Sequence, residues 1–371
     1  MIYFHKMKKL FLIAVLGLFA FTNQGFTQGC VEVSDEEGAQ IFGFIQTQAD
    51  YHFLGETKSG ESLNTSDFYF NRARLGVVGT IPYDFSYYFV SEMSPLINGG
   101  GGASILDAFI TYNRLGPWLK VSFGQFKTPF GLEQVTACHK LHTINRSEVV
   151  NNLSGPIRDF GLMISGGTDT LSLFGSKTKN LFGYSFAVVN GTGRNINDNN
   201  VKKDIIGRLT FHPFEFITVG ASYRFGAHPS AAGLEEDDTR KRLGLDVELN
   251  YKNFLVQGEY TQGADVGSYT TGGGCGGDVE FHEGSVDRDG FFVQGMYMTP
   301  WRVQPLVKYE YYEPNAASDV IDDQQTIITY GLNYFFNDWT RLQINYLYRV
   351  EESGNVEIPN DALLVQLQVV F

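Results

Sequence analysis

The sequence predicts an all-β protein: a closed antiparallel transmembrane β-barrel of about sixteen strands, with short periplasmic turns and long outer loops. Three observations predict it. Apolar and polar side chains alternate with a period of two along segment after segment. The connections between those segments alternate between tight and long. The chain ends in an amphipathic segment closed by an aromatic terminus, Phe371.

Composition narrows the alternatives. Of 371 residues, 31 are Phe and 20 are Tyr, and aromatic side chains favour strands. Lys and Arg number 28 against 41 Asp and Glu, a formal net charge of −13. Nucleic acid is therefore not an expected partner, because phosphate binding needs a basic surface. A mean hydropathy of −0.14 is too polar for a bundle of membrane helices. Three cysteines are too few for a disulfide framework. Gly at 42 and Pro at 11 are too few for a disordered or collagen-like chain.

The first element is an export signal over residues 1–29. Lys6, Lys8 and Lys9 precede the apolar run from Leu10 to Phe21, which is too short to span a bilayer comfortably. Cleavage is expected between Gly25 and Cys30. Cys30 raises a lipoprotein reading, but Thr27-Gln28-Gly29 before it is a poor lipobox. Residues 30–39 then form a short periplasmic segment, and residues 40–371 the barrel.

The strands follow. Leu243, Leu245, Val247, Leu249 and Tyr251 are apolar, and Gly244, Asp246, Glu248 and Asn250 between them are polar or small. Ile217 to Phe225 and Thr340 to Val350 repeat the pattern. Successive side chains point to opposite faces of a strand, so each segment has one greasy and one wet face. Such segments lie near 40–54, 67–81, 84–94, 104–113, 118–126, 158–166, 181–191, 203–213, 216–226, 242–252, 254–262, 290–299, 302–312, 325–336, 339–350 and 361–371. Tight connections follow the even-numbered segments, as at Lys252-Asn253 and Asn337-Asp338; the stretch Gly167 to Asn180 is the exception. Longer polar or Gly-rich connections follow the odd-numbered ones, as at Ala227 to Lys241 and Gly263 to Asp289. The longest runs from Lys127 to Ile157.

A soluble sandwich also alternates, but it needs no long loops at one end and tight turns at the other. A barrel in a bilayer explains both, because every backbone group finds a partner only if the sheet closes. Trp118, Trp301 and Trp339 all sit at tight turns, where an interfacial girdle belongs. Leu363, Val365, Leu367, Val369 and Phe371 share one face of the last strand, and a strand of this kind looks like the assembly signal of outer-membrane barrels.

Four motifs carry a resemblance. Arg72-Ala73-Arg74-Leu75-Gly76-Val77 is followed by Asp107-Ala108-Phe109-Ile110-Thr111-Tyr112. Then come Gly124-Gln125-Phe126-Lys127-Thr128-Pro129-Phe130-Gly131-Leu132-Glu133 and Arg158-Asp159-Phe160-Gly161. In order and spacing they resemble the phosphate-selective porin O and P family of outer-membrane porins. The specific match spans about residues 68–166; the rest matches in pattern. The resemblance implies a 16-stranded, trimeric, water-filled channel whose third outer loop, residues 127–157, folds inward as a constriction. It implies passive diffusion of small solutes, with anions such as phosphate selected by basic residues lining the pore.

The polar faces bear on that selectivity. Arg72, Arg74, Lys120, Arg208, Arg224, Lys308, Arg341 and Arg349 are expected in the lumen. So are Asp50, Glu92, Asp107, Asp246, Glu248, Glu259 and Glu310, which brings the wall near balance. The clearest basic cluster is Arg72, Arg74, Lys120 and Lys127, with Lys140, Arg146 and Arg158 added by the third loop and the strand after it, beside His139 and His142. A narrow, low-dielectric constriction amplifies such charges. Alternatively, Arg72 and Arg74 pair with Asp107 and Glu92 across neighbouring strands. The acidic runs Glu235-Glu236-Asp237-Asp238 and Asp322-Asp323 fall in outer loops and oppose anion entry.

No catalytic or cofactor motif appears. His139 and His142 lie three apart, but apart from nearby Cys138 no ligand at matching spacing completes a metal site. No nucleophile motif is present. The Asn/Asp-rich run from Arg194 to Asp198 reads as ordinary outer-loop chemistry. Cys138, in the third loop, and Cys275, in the sixth, face an oxidising compartment and are expected either to pair or to remain surface thiols. The expected partners are outer-membrane lipid, small anionic solutes, further copies of the chain in a homotrimer, and the barrel assembly machinery acting on Phe371. Two functions remain open: a passive porin, and a non-conducting outer-membrane binding or adhesion barrel that acts through its outer loops.

Overall fold

The computed structural model describes residues 38–82, 84–173, 176–178, 180–198, 200–228, 238–272, 279–316, 324–351 and 358–371. The signal segment, Cys30, Cys275, Asp322-Asp323 and nearly all of the first acidic run lie outside the described residues.

Among the described residues, eighteen strands form in chain order. They are β1 (Gly38–His52), β2 (Thr65–Ile81), β3 (Phe85–Glu92), β4 (Ser104–Leu115), β5 (Leu119–Lys127) and β6 (Arg158–Gly167). Then follow β7 (Leu171–Leu173), β8 (Ser176–Thr178), β9 (Phe182–Val189), β10 (Asp204–Phe214), β11 (Ile217–His228) and β12 (Asp238–Tyr251). The last are β13 (Phe254–Gly272), β14 (Val279–Tyr297), β15 (Val303–Glu313), β16 (Gln325–Phe335), β17 (Thr340–Val350) and β18 (Ala362–Val370). Sixteen of them close into one antiparallel barrel in which each pairs with its sequence neighbours and β1 pairs with β18. The other two, β7 and β8, pair only with each other and occupy the connection that broke the tight-turn rule.

The alternation builds the barrel inside out relative to a soluble protein. Leu245, Val247, Leu249 and Tyr251 are exposed on the outer face, whereas Arg240, Arg242 and Asp246 of the same strand are buried in the lumen. An outer face of this kind suits hydrocarbon, and the inner face holds the polar groups. The three tryptophans are more than half exposed at the tight-turn end.

Three boundaries differ from the sequence reading. β1 starts at Gly38, because Gly38 and Ala39 already pair with Thr80 and Gly79. The stretch Gly263 to Asp289, expected as a loop, is mostly ladder: β13 and β14 stay paired from Phe254↔Tyr297 out to Gly272↔Val279. The connection after β11 is likewise shortened, with His228 opposite Asp238. Backbone pairing continues past the hydrocarbon, where both faces are wet and the apolar alternation has no reason to persist.

The seam is closed by the terminus. The Gly43 N–H donates to the Phe371 carbonyl at 2.8 Å, and the Phe371 N–H donates back to the Gly43 carbonyl at 2.9 Å. The Phe371 ring lies over Gly43, where an added Cβ would sit 2.7 Å from the ring. Only glycine leaves room for this aromatic cover. Deleting Phe371 should lower the heat-modifiable, folded fraction on a detergent gel and leave the conductance of each inserted channel unchanged. Normal levels of folded protein would contradict this.

Candidate functional site

The third outer loop leaves β5 and turns into the lumen. Its root is the recognised motif. Phe126 and Phe130 bury in an apolar cluster with Met163, Ala187, Val189 and Ile206. The Lys127 ammonium donates to the Thr136 carbonyl at 3.1 Å. The Gln134 amide donates to the Thr128 carbonyl and hydroxyl, and the Thr128 hydroxyl donates to the Pro156 carbonyl, tying the two ends of the loop together. Gly131 takes a φ of +65° and packs against the Glu259 carboxylate, so any side chain there would be strained and would collide.

Beyond the root the loop carries two short helices, Leu132–Val135 and Glu148–Leu153, and a 3₁₀ turn over Cys138–Lys140. Most of its backbone is irregular and must find partners in the wall. Carboxylates and amide oxygens accept its N–H groups. Glu259 accepts from Leu132 and Glu133, Glu310 from Glu148, and Asn345 from Ile144. Guanidiniums and amide nitrogens donate to its carbonyls. Arg341 and Gln368 reach His139, Asn333 and Gln343 reach His142, and Arg224 reaches Ser154 and Pro156. Arg242 donates to Gly155. Val149, Val150 and Leu153 pack on Phe292 and Tyr312 of the wall. The loop thus crosses the lumen and is held by β2 and β11–β18.

Several lumen cations are paired with carboxylates. Arg74 meets Glu92 at 2.7 Å, Arg224 and Arg240 share Asp204 at 2.8 Å each, and Arg208 pairs with Asp246. Lys308 meets Glu133 at 3.0 Å. The cross-strand pairing considered for Arg74 therefore forms. Arg72 does not pair with Asp107, because Arg158 holds that carboxylate with two bonds of 3.0 and 3.1 Å. Arg72 donates instead to Gln46 and to the Ile144 carbonyl.

The loop divides the lumen. An outer vestibule of about 230 Å³ is lined by Arg72, Arg146, Glu148, Lys308 and Arg349, among others. An inner vestibule of about 520 Å³ is lined by Lys140, Arg208, Glu248, Trp339 and Arg341, among others. Between the loop and the wall of β1–β6 lies a gap of about 50 Å³ bordered by Phe44, Arg74, Asp107, Lys127, Cys138 and Arg158. Lys120 does not join the basic cluster. It lies opposite Ser165 near the tight turn, and seven residues of strand separate it from Lys127 by roughly 23 Å.

Sequence reasoning missed Asp204, Arg240 and Glu133. Arg240, Arg242, Gly244 and Asp246 continue one face of β12, so the period of two extended backwards would have found Arg240. Glu133 lay inside the recognised motif. Asp204 and the pairing of Glu133 with Lys308 had no local signal.

Burial and the neighbouring Lys140 push the His139 imidazole down to about 4, and burial with Arg341 does the same for His142. His139 packs on the Phe44 ring, 5.2 Å between centroids, and His142 contacts Gln304 at 3.3 Å. Both rings therefore serve the docked loop in the neutral form. Cys138 is free and buried, with its sulfur toward Arg74 and Arg146 rather than the outer surface. Of the two outcomes left open for Cys138, the crosslink does not form and the thiol is not at the surface either, because folding the loop inward carries it into the lumen. Burial pushes the thiol up, but Arg146, Arg74, Arg72 and Lys127 outweigh that and hold it well below its ordinary value.

The family model for phosphate-selective porin O and P matches residues 45–371. The chain belongs to this family. The porin resembles an anion-selective porin from Comamonas acidovorans at 13% identity and a TM-score of 0.63, covering 91% of this chain and 100% of that one. It resembles the trimer form of OmpT from Vibrio cholerae at 14% identity and a TM-score of 0.61, covering 90% and 100%. The outer membrane channel DcaP of Acinetobacter baumannii matches at 12% identity and a TM-score of 0.63, covering 93% and 100%. No curated protein matches the porin in sequence. Family and fold together make it an outer-membrane porin.

Two predictions follow from the docking. Lys308→Met leaves Glu133 buried without its cation, which costs about 3–5 kcal/mol where such a pair is broken. The variant should show a lower unfolding temperature and noisier single-channel currents; variant currents as quiet as those of the wild type would contradict the anchor. The two histidines have folded values near 4, below the ordinary 6.5. Their contribution to docking is therefore complete above pH 6.5 and is lost as pH falls towards 4. Current noise should rise across that window, and His142→Gln should flatten part of the rise. Identical pH profiles would exclude this role for His142.

Proposed function

We propose that the porin passes small hydrophilic anions, phosphate among them, by passive diffusion. The observation that carries this reading is a run of cations at each level of the lumen. Arg72 and Arg146 stand in the outer vestibule, Arg74, Lys127 and Arg158 at the gap beside the loop, and Lys140 with Arg341 in the inner vestibule. An anion moving between them exchanges part of its hydration for charge-assisted contacts that stay weak enough for exit. The anion-selective Comamonas porin of the same fold supports the reading. The trimer form of the Vibrio protein supports a homotrimer here. Residues 1–29 act as the export signal, and Phe371 is the residue offered to the assembly machinery.

One observation favours a second reading. The loop is hydrogen-bonded to walls on both sides of the lumen, as in a closed barrel that works through its outer loops. Conductance of the purified protein in a planar bilayer separates the two.

In a KCl gradient the wild-type reversal potential should indicate anion preference. Arg74→Glu or Lys127→Glu should shift it towards cations, more at low salt than at high, because screening shortens with ionic strength. Arg349→Glu and Lys120→Glu, away from the gap, should shift it less. Added phosphate should reduce the chloride current. A cation-selective wild type would overturn the anion reading and leave a general porin.

A further inference from the structure

We propose that Cys138 is a specificity-determining residue of the constriction: its thiolate sulfur stands between Arg74 and Arg146 as a built-in counter-ion that competes with solute anions for both guanidiniums. This rests on the porin reading above.

The geometry carries it. Cys138 is 3% exposed and sits in the 3₁₀ turn that the loop presses towards β2. Its sulfur accepts from Arg74 Nη1 at 3.1 Å and from Arg146 Nη1 at 3.4 Å. Guanidiniums only donate and keep their protons in proteins. A neutral thiol here accepts only weakly, whereas a thiolate gives both guanidiniums a charged acceptor. Surrounding cations of this kind are what stabilise thiolates. The Lys127 ammonium and the Arg72 guanidinium add to the same field.

The sulfur does not hold either arginine in place. Arg74 keeps Glu92, and Arg146 keeps the carbonyls of Glu133, Gln134 and Thr136. What the sulfur occupies is the anion position between them. Arg146 faces the outer vestibule and Arg74 faces the gap beside the loop, so Cys138 sits where an anion would be handed from one to the other. A fixed negative charge there lowers the anion preference that the cations alone would give.

The test is charge replacement at constant loop structure. Cys138→Ser keeps a small acceptor without the charge, and Cys138→Asp keeps a charge. In a KCl gradient at low salt, the serine variant should raise the chloride-to-potassium permeability ratio about twofold over wild type, and the aspartate variant should hold the wild-type ratio. A serine variant with the wild-type ratio, or an aspartate variant that matches serine, overturns the proposal. The direction of the shift does not depend on which ion wild type prefers. A cation-selective wild type whose serine variant still moves towards chloride removes the anion reading and keeps this one. The ultraviolet absorbance of the thiolate, read on the wild-type porin in detergent at neutral pH, needs neither variant nor current. The folded porin should show about one thiolate per chain that is lost on heat unfolding at the same pH. No loss on unfolding overturns the proposal.

Discussion

Everything in this molecule depends on one constraint: a backbone polar group in hydrocarbon has no water to bond and must be satisfied within the protein. Closure of β1 on β18 meets it, and the paired backbone of Gly43 and Phe371 completes the seam. Closure also fixes which face is which. With hydrocarbon outside, the apolar half of each alternating strand has its place, and the polar half is left to line the lumen.

That polar lining then meets the same constraint a second time. The third outer loop enters a space too narrow to hydrate it fully, so its N–H and C=O groups need partners as well. The wall supplies them by chemical type. Glu259, Glu310 and Asn345 accept N–H groups, while Arg224, Arg242, Arg341 and Gln343 donate to carbonyls. Many lumen arginines therefore hold loop rather than solute. The near balance of charge in the lining has a structural origin, since a buried cation such as Lys308 is tolerable only beside its carboxylate. The charges that border open space lie along the route from Arg146 past Arg74 to Lys140.

The order of the four motifs gains a physical meaning from this arrangement. Gly124 to Glu133 is the root of the loop: two phenylalanines anchor it, a glycine with positive φ turns it, and a glutamate at its end joins it to Lys308. Arg158 at the far end of the loop clamps Asp107 of the second motif. In this chain the motifs together build and hold one folded-in loop.

The sequence by itself determined the barrel. A period of two over sixteen segments, tight turns at one end and an amphipathic terminus admit few other solutions, because each of these features is local and repeats. It also determined which residues face the lumen, as Arg74, Asp246 and Glu259 do. It did not show where the ladder continues beyond the hydrocarbon, as in β13 and β14, because the apolar signal stops where the membrane does. Only the tertiary structure decided who meets whom. Asp107 goes to Arg158 rather than Arg72, Lys120 lies a strand's length from the cluster it was grouped with, and Cys138 ends between two guanidiniums instead of at the outer surface. Those contacts depend on strand register and on the path of a thirty-residue loop through the lumen, and both are set by packing between residues far apart in the chain, for which no local pattern exists.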